Sequence, residues 1–277
     1  MAAEPVLEVR GLSKRFAGRA GRDPSSWVIK DLSFAVDAGE FLTIIGPSGS
    51  GKTTLLNVLA QIEVASGGEV RFQSRVTPVD NPKSLKPGLS CKIGYVTQED
   101  NLLPWRTTLQ NVLFPLLVQG RLDSETRARA QSLIRMAGLS GFENHYPHEL
   151  SGGMRKRASL IRTLVYDPPV ILMDEPFGAL DAQTRAQLQE DLLRLWSLGR
   201  KTIVFVTHDI AEAIALGDRT LVLSRSPTTL AGEYTNPIPR PRDIRGIMTH
   251  PQFTALYQRI REHLTPEPHG SPTIAIA

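Results

Sequence analysis

The sequence predicts an α/β fold, in which a parallel sheet covered by helices carries an inserted α-helical subdomain and follows a strand-rich N-terminal region. Three observations carry that expectation. Short apolar runs alternate with helix-period segments before residue 60 and again over 170–223. From about residue 99 to 165 the apolar spacing turns helical. Between a strand-like and a helix-like segment lies Gly46-Pro47-Ser48-Gly49-Ser50-Gly51-Lys52-Thr53, which has the spacing G-x-x-x-x-G-K-[ST].

Taken in order, Val6 to Arg10 reads as a first strand, and Ala17 to Ser26, rich in Gly, Arg and Ser, as a loop. Trp27 to Ile29 and Leu32 to Val36 read as two further strands, and Asp37-Ala38-Gly39-Glu40 as a turn. Phe41 to Ile45 is a short, partly β-branched apolar run, the pattern of a buried strand. Thr54 to Ala60 carries Leu55, Leu56, Val58 and Leu59 and reads as a helix; Val70 to Phe72 returns as a strand. Arg75 to Lys92 holds three prolines and a glycine, which predicts a surface loop. Ile93 to Thr97 is strand-like. Helices follow over Thr108 to Gln119, over Asp123 to Ala137 and from near Ser151. The βα alternation then resumes: strand Val170 to Met173, helix Ala182 to Leu198, strand Thr202 to Thr207, helix Ile210 to Leu216, strand Thr220 to Leu223. The last dozen residues read as a loose tail.

Composition narrows the class. A hydrophobic share of 41% supports a real core, and the net charge of +4 is dispersed without a basic block, so no nucleic-acid partner is expected. The single Cys91 cannot form an internal disulfide, which fits a reducing compartment. Met1-Ala2-Ala3-Glu4-Pro5 shows no signal pattern, and no apolar run reaches the roughly 18 residues of a membrane span. A membrane role therefore has to come through a partner.

The glycine loop and the helix behind it form a phosphate cradle. Glycines let the backbone wrap an anion so that N–H groups and the helix N-terminus face it. Lys52 would reach the β- and γ-phosphates, the Thr53 hydroxyl would bind Mg²⁺, and Thr54 belongs to the same binding segment. Val170-Ile171-Leu172-Met173-Asp174-Glu175 is an apolar strand ending in two carboxylates. Open α/β sheets place ligands at that end. Asp174 would hold Mg²⁺, and Glu175 would act as general base on the attacking water. Leu150-Ser151-Gly152-Gly153-Met154 has two readings, a plain N-cap with a glycine turn or a second anion site serving the nucleotide of another molecule.

The ordered set Gly46–Thr53, Gln98, Leu150–Gly153, Asp174-Glu175, Ala179-Leu180-Asp181 and His208 resembles the ATP-binding cassette (ABC) ATPase family, from about Val6 to Ser224. The resemblance implies a P-loop NTPase core with an N-terminal antiparallel β subdomain, a nucleotide-binding domain over 1–226 with its helical subdomain at about 99–165, and a C-terminal extension and tail over 227–277. It implies ATP and Mg²⁺ as cofactors. It matches Phe16 to the aromatic that stacks on adenine, with Trp27 competing, and Gln98 to the glutamine that contacts Mg²⁺ and the attacking water. Ser151, Gly152 and Gly153 match the signature that caps the γ-phosphate of the opposing subunit's ATP, Asp181 the loop lining the dimer seam, and His208 the switch histidine. Three positions depart from the pattern: Met154 and Lys156 stand where glutamine is usual, and Gln61 where glycine is usual. His145 and His148 lack a metal-binding context.

Leu102-Leu103-Pro104-Trp105, Pro147-His148-Glu149 and Pro239-Arg240-Pro241-Arg242-Asp243 resemble the ATPase subunits of nitrate, sulfonate and taurine importers. That branch implies a membrane permease, a second ATPase subunit as a homodimer or a different chain, an external substrate-binding protein, and a peripheral place on the cytoplasmic side of the inner membrane. The Leu-Pro-Trp segment belongs either to the groove that receives the permease or to the packing of the helical subdomain. The rival readings are a non-transport ABC ATPase acting on a soluble or nucleic-acid partner and a regulatory cassette without turnover. No Asn-Lys-x-Asp base-reading motif supports a GTPase.

Overall fold

The computed structural model describes residues 5–16, 26–72, 75–77, 93–178 and 180–264. The chain runs β1 (Leu7–Arg15), β2 (Trp27–Val36), β3 (Phe41–Ile45), α1 (Lys52–Leu59), β4 (Gly67–Phe72), β5 (Arg75–Thr77) and β6 (Ile93–Val96). It continues through α2 (Thr108–Val118), α3 (Ser124–Met136), α4 (Gly152–Leu164), β7 (Val170–Asp174), α5 (Ala182–Gly199), β8 (Thr202–Thr207), α6 (Ile210–Leu216), β9 (Arg219–Leu223), β10 (Leu230–Thr235) and α7 (Pro251–Leu264).

The six-stranded sheet has the order β10-β9-β3-β8-β7-β6. All its pairings are parallel except β10 with β9. The largely apolar central strands β3, β7 and β8 are buried on both faces, as parallel strands are. Alternation divides them. Phe41, Ile45, Met173 and Phe205 pack toward α5, α6 and α7, whereas Leu42, Ile44, Leu172 and Val204 pack toward α1 and the second sheet. That second sheet is antiparallel, with the order β2-β1-β4-β5. A third core belongs to the helical subdomain: Val112 and Leu116 of α2, Leu133 and Ile134 of α3, and Ala158 and Ile161 of α4. Capping boxes at Thr107 and Asp123 start α2 and α3.

The expected elements appear with three corrections. The two short strands expected over 27–36 are one strand, because Asp31 takes φ 52 and the ladder absorbs it as an irregularity. Residues 75–77, expected within a loop, pair with β4. The first strand runs on to Arg15 past Gly11, at φ 57. The expected loop over 17–26 (all but Ser26), the remainder of that over 78–92 and the tail from 265 lie outside the described residues. The stretch after 226 supplies β10 and α7. In its Pro-Arg-Pro-Arg segment, Arg240 donates to Leu216 O at 2.5 Å and Arg242 to Gly217 O at 2.6 Å, covering carbonyls that α6 leaves open. Among the described residues no helix is long and apolar enough to cross a membrane.

Candidate functional site

Because β3, β8, β7 and β6 are neighbouring parallel strands, the segments following them converge at one edge of the sheet. The glycine loop follows β3, His208 follows β8, Asp174 ends β7 with Glu175 next to it, and Gln98 follows β6.

The loop is wound tightly. A Cβ on Gly46 would come within 2.8 Å of Ser50 Oγ and 3.2 Å of the Leu223 carbonyl oxygen. Gly51 sits at φ 81, where a Cβ would meet Val28 Cγ1 at 2.9 Å. Ser50 Oγ is buried without a hydrogen-bond partner, while Pro47 is half-buried and Ser48, Gly49 and Thr53 are more open. A cradle closed to a Cβ at Gly46 and Gly51, with an orphaned hydroxyl and a helix start beside it, fits a phosphate chain. Lys52 is buried; its Nζ donates to Gly46 O at 2.9 Å and Pro47 O at 3.0 Å and lies 3.9 Å from Glu175 Oε1. Burial pushes its ammonium below the ordinary value, and the Glu175 and Asp174 carboxylates oppose that shift.

Glu175 takes φ 42, a left-handed conformation that is costly for a side chain of this kind, and its N–H donates to Val206 O at 3.0 Å. The strained backbone aims its carboxylate at both Lys52 and His208, whose Nδ1 lies 2.8 Å from Glu175 Oε2. A carboxylate has no proton to give, so Nδ1–H is the donor and Nε2 is left on the other edge of an exposed ring. The ideal Cβ position on Gly178 is 3.8 Å from both Gln98 Nε2 and Glu175 Oε2, which places Gln98 at the same site. The Thr53 hydroxyl bonds to the buried Asp174 carboxylate. Burial raises the Asp174 carboxyl; the Thr53 bond lowers it, Glu175 adds to the rise and Lys52 opposes it. The Thr53 hydroxyl and the Asp174 carboxylate are hard oxygen ligands, a pair that fits Mg²⁺.

Ser151 caps α4 by accepting from Met154 N at 3.3 Å, so the plain capping role is present. Gly153 is needed for packing: its Cβ would lie 2.9 Å from Thr184 Cγ2, on the first turn of α5. Asp181 caps that helix, accepting from Thr184 N at 2.9 Å, and these bonds lower its carboxyl pKa. Among the described residues, no hydrogen bond or ion pair joins Ser151, Gly152 or Gly153 to the glycine loop. Phe16 is exposed at the end of β1, with Lys14 Nζ 4.6 Å from its ring centroid. Arg15 pairs with Trp27, and Val28 touches Gly51, so this end of the hairpin abuts the phosphate cradle. Leu102 is buried in the helical core while Trp105 is 70% exposed, so the Leu-Pro-Trp segment divides between packing and open surface.

Several participants escaped the sequence reading. Tyr95 donates to Asn57 Oδ1 at 2.9 Å, and burial with the nearby Asp174 charge raises its pKa. Glu212 is buried, accepts from Gln189 and Thr207, and has its carboxyl raised by that burial against those two bonds. With Glu175, Phe177, Arg185, Thr207, His208 and Asp209 it lines a small cleft behind the histidine. Asp209-x-x-Glu212 reads in the sequence as a capping box, which was the available signal. Thr228, remote in sequence, donates from Oγ1 to Ser50 O beneath the glycine loop.

Comparison with known proteins gives a consistent result. The sequence profile described as ABC transporter matches residues 29–178. An uncharacterized ABC transporter ATP-binding protein of Methanocaldococcus jannaschii is 42% identical, with 86% of this chain and 84% of the relative covered. An aliphatic sulfonates import ATP-binding protein of Bacillus cereus is 38% identical (86% and 88% covered), and a taurine import ATP-binding protein of Rhizobium johnstonii is 38% identical (92% and 95% covered). Among solved structures, a dimeric bacterial ABC transporter cassette superposes with a TM-score of 0.72 at 34% identity, covering 83% of this chain and 98% of that one. A dimeric ATP-binding cassette in a post-hydrolysis state with ADP and Pi gives 0.71 at 33% identity, with the same coverage.

Proposed function

This chain belongs to the ABC transporter family as an ATP-hydrolysing subunit, and from that premise we propose that it energises uptake of a small solute, of the sulfonate or taurine kind, through a separate membrane permease. The observation that carries the chemistry is the Glu175–His208 pair at 2.8 Å with Lys52 3.9 Å from the same carboxylate, at the lip of the phosphate cradle.

The residues divide the work. The loop Gly46–Thr53 with Thr54 binds the phosphates of ATP, and Lys52 exchanges its carbonyl partners for β- and γ-phosphate oxygens. Phe16 stacks on the adenine. Thr53, Asp174 and Gln98 would hold Mg²⁺, which when bound neutralises charge on the β- and γ-phosphate oxygens. Glu175 takes a proton from water as the oxygen attacks the γ-phosphorus; the bond from that phosphorus to the β–γ bridging oxygen breaks, leaving ADP and phosphate. His208, oriented by Glu175 through Nδ1–H, would donate to the γ-phosphate from Nε2–H as the doubly protonated ring.

The dimeric relatives support pairing with a second ATPase subunit, a homodimer in the simplest case. Ser151, Gly152 and Gly153 then close over the partner's ATP, and Asp181 lines the seam. Each nucleotide adds contacts made only in the closed dimer, so binding favours closure and hydrolysis releases it. The permease would hold the chain at the cytoplasmic membrane face and receive solute from an external binding protein. Trp105 suits the permease groove as an exposed aromatic anchor.

The test is a pull-down from native membranes with tagged Glu175→Gln, ATP and Mg²⁺. Recovery of a polytopic membrane protein at near-equal amounts is expected; recovery of only soluble proteins or nucleic acid would overturn transport.

A further inference from the structure

We propose that Glu212 is a positioning residue for His208, fixing the loop that carries the imidazole to α5, the helix that begins at the seam residue Asp181. The inference rests on the reading of Glu175 and His208 as the reacting pair.

Glu212 lies on α6 and is only 7% exposed, and both of its carboxylate oxygens are engaged. Oε1 accepts from Gln189 Nε2 at 2.9 Å, and Oε2 accepts from the Thr207 hydroxyl. Thr207 Oγ1 in turn accepts the Asp209 N–H at 3.0 Å. The two neighbours of His208 in the chain are therefore tied to one carboxylate. Asp209 is held from its other side, accepting from Ala211 N at 2.8 Å and Glu212 N at 3.1 Å, with Arg185 Nη1 3.8 Å from its second oxygen.

The geometry departs from ordinary helix capping. A glutamate three residues after an N-cap aspartate usually turns back to the N-cap N–H. Here that N–H goes to Thr207, and Glu212 turns inward, where a carboxyl is tolerated only with its hydrogen bonds made. An apolar side chain would serve the packing of α6 better, so the buried acid needs another explanation. The far end of the network supplies it. Asp181, Arg185 and Gln189 recur every fourth residue along one face of α5. Asp181 caps the helix, Arg185 donates to Leu180 O at 3.0 Å and faces Asp209, and Gln189 reaches Glu212. A displacement of the seam loop is thereby transmitted along α5 to the residues on both sides of His208.

Steady-state phosphate release by the full chain tests this. Glu212→Ala is expected to lower kcat about 10- to 100-fold, the scale of an ångström-sized misplacement of a reacting group. The KM for ATP should move less than about twofold, because no P-loop contact is touched. Glu212→Gln, which can still accept from Thr207 and meet a rotated Gln189 amide, should recover most of the loss. In a His208→Ala background Glu212→Ala should cost nothing further, since a residue acting through another has no separate effect. Should Glu212→Ala fail to fold, Thr207→Val, nearly equal in volume, should give the same kcat loss at unchanged KM. Wild-type kcat in Glu212→Ala, or an undiminished additional loss in the His208→Ala background, would overturn the inference alone. Wild-type turnover in His208→Ala would overturn the site reading and this inference with it.

Discussion

Replacing Glu175 by Gln isolates the chemistry from the architecture. The amide keeps the side chain's length and still accepts from His208 Nδ1, now 2.8 Å from the carboxylate. It removes one negative charge 3.9 Å from Lys52 Nζ. At an effective dielectric constant of 20 that attraction is about 4 kcal/mol before desolvation is counted. The loss does not carry through to weaker ATP binding. The same substitution removes a repulsion of comparable size between the carboxylate and an incoming γ-phosphate, and it leaves Lys52 free to pair with that phosphate. Nucleotide affinity should therefore be retained or tightened. Turnover should not survive, because an amide cannot take a proton from water at neutral pH. Loss of a positioned base costs about 10²- to 10⁴-fold in kcat, roughly 2.7–5.4 kcal/mol of barrier. The assay is phosphate release at saturating ATP beside calorimetric ATP binding, with the association state followed by light scattering. A variant that hydrolyses within twofold of the parent would refute Glu175 as the base. A variant that has lost ATP binding would refute the electrostatic balance.

Three further outcomes are expected. Gly46→Ala places a methyl 2.8 Å from Ser50 Oγ and 3.2 Å from the Leu223 backbone oxygen, so ATP affinity should fall at least about tenfold with circular dichroism unchanged; unaltered calorimetric binding would show that the cradle can relax. Gln61 ends α1 at φ 60, so Gln61→Gly should stabilise the fold by about 0.5–1 kcal/mol, roughly 1–2 °C in a thermal melt, and a lower melting temperature would mean the glutamine side chain makes a compensating contact. Trp105→Ala removes a side chain that is 70% exposed, so the melting temperature should barely move while recovery of the permease in the pull-down drops; equal recovery would remove Trp105 from the docking surface.

Local spacing made the phosphate cradle and the acid pair legible. Each is a set of residue types at fixed offsets within one strand and its turn, and the sheet order then brings them together. The same locality explains the errors. Lys30-Asp31 reads as a break between two strands, yet Asp31 passes through φ 52 without ending the ladder. Arg75–Thr77 is too short and too close to proline to announce a strand, and only its pairing with β4 makes it one. The supports of the site were illegible because their partners are distant in the chain. Gln189 and Glu212 are separated by 23 residues, and Thr228 and Ser50 by 178. Gln61 shows the converse. Departure from an expected glycine marks a position whose backbone still needs the left-handed region, and the residue occupies it at a cost.

Lys156 is the departure that structure turns into an argument. Its Nζ donates to the carbonyl of Gln98, while Arg162 on the same helix donates to Asn101 O at 2.7 Å and Asp100 O at 3.0 Å, and Arg155 Nε meets Asp100 Oδ2 at 3.1 Å. Burial lowers the pKa of both Lys156 and Arg162, and Asp100 opposes the shift in each. Three cations of α4 thus hold the loop that β6 delivers to the site. Gln98 is covalently continuous with the sheet but bonded to the helix that starts at Ser151. The same loop continues into Leu102 and the exposed Trp105. A load applied at Trp105 meets the α4 clamp before it meets the sheet. Gln98 and Ser151 would therefore shift together, against Glu175 and Lys52, which the sheet and the glycine loop hold fixed.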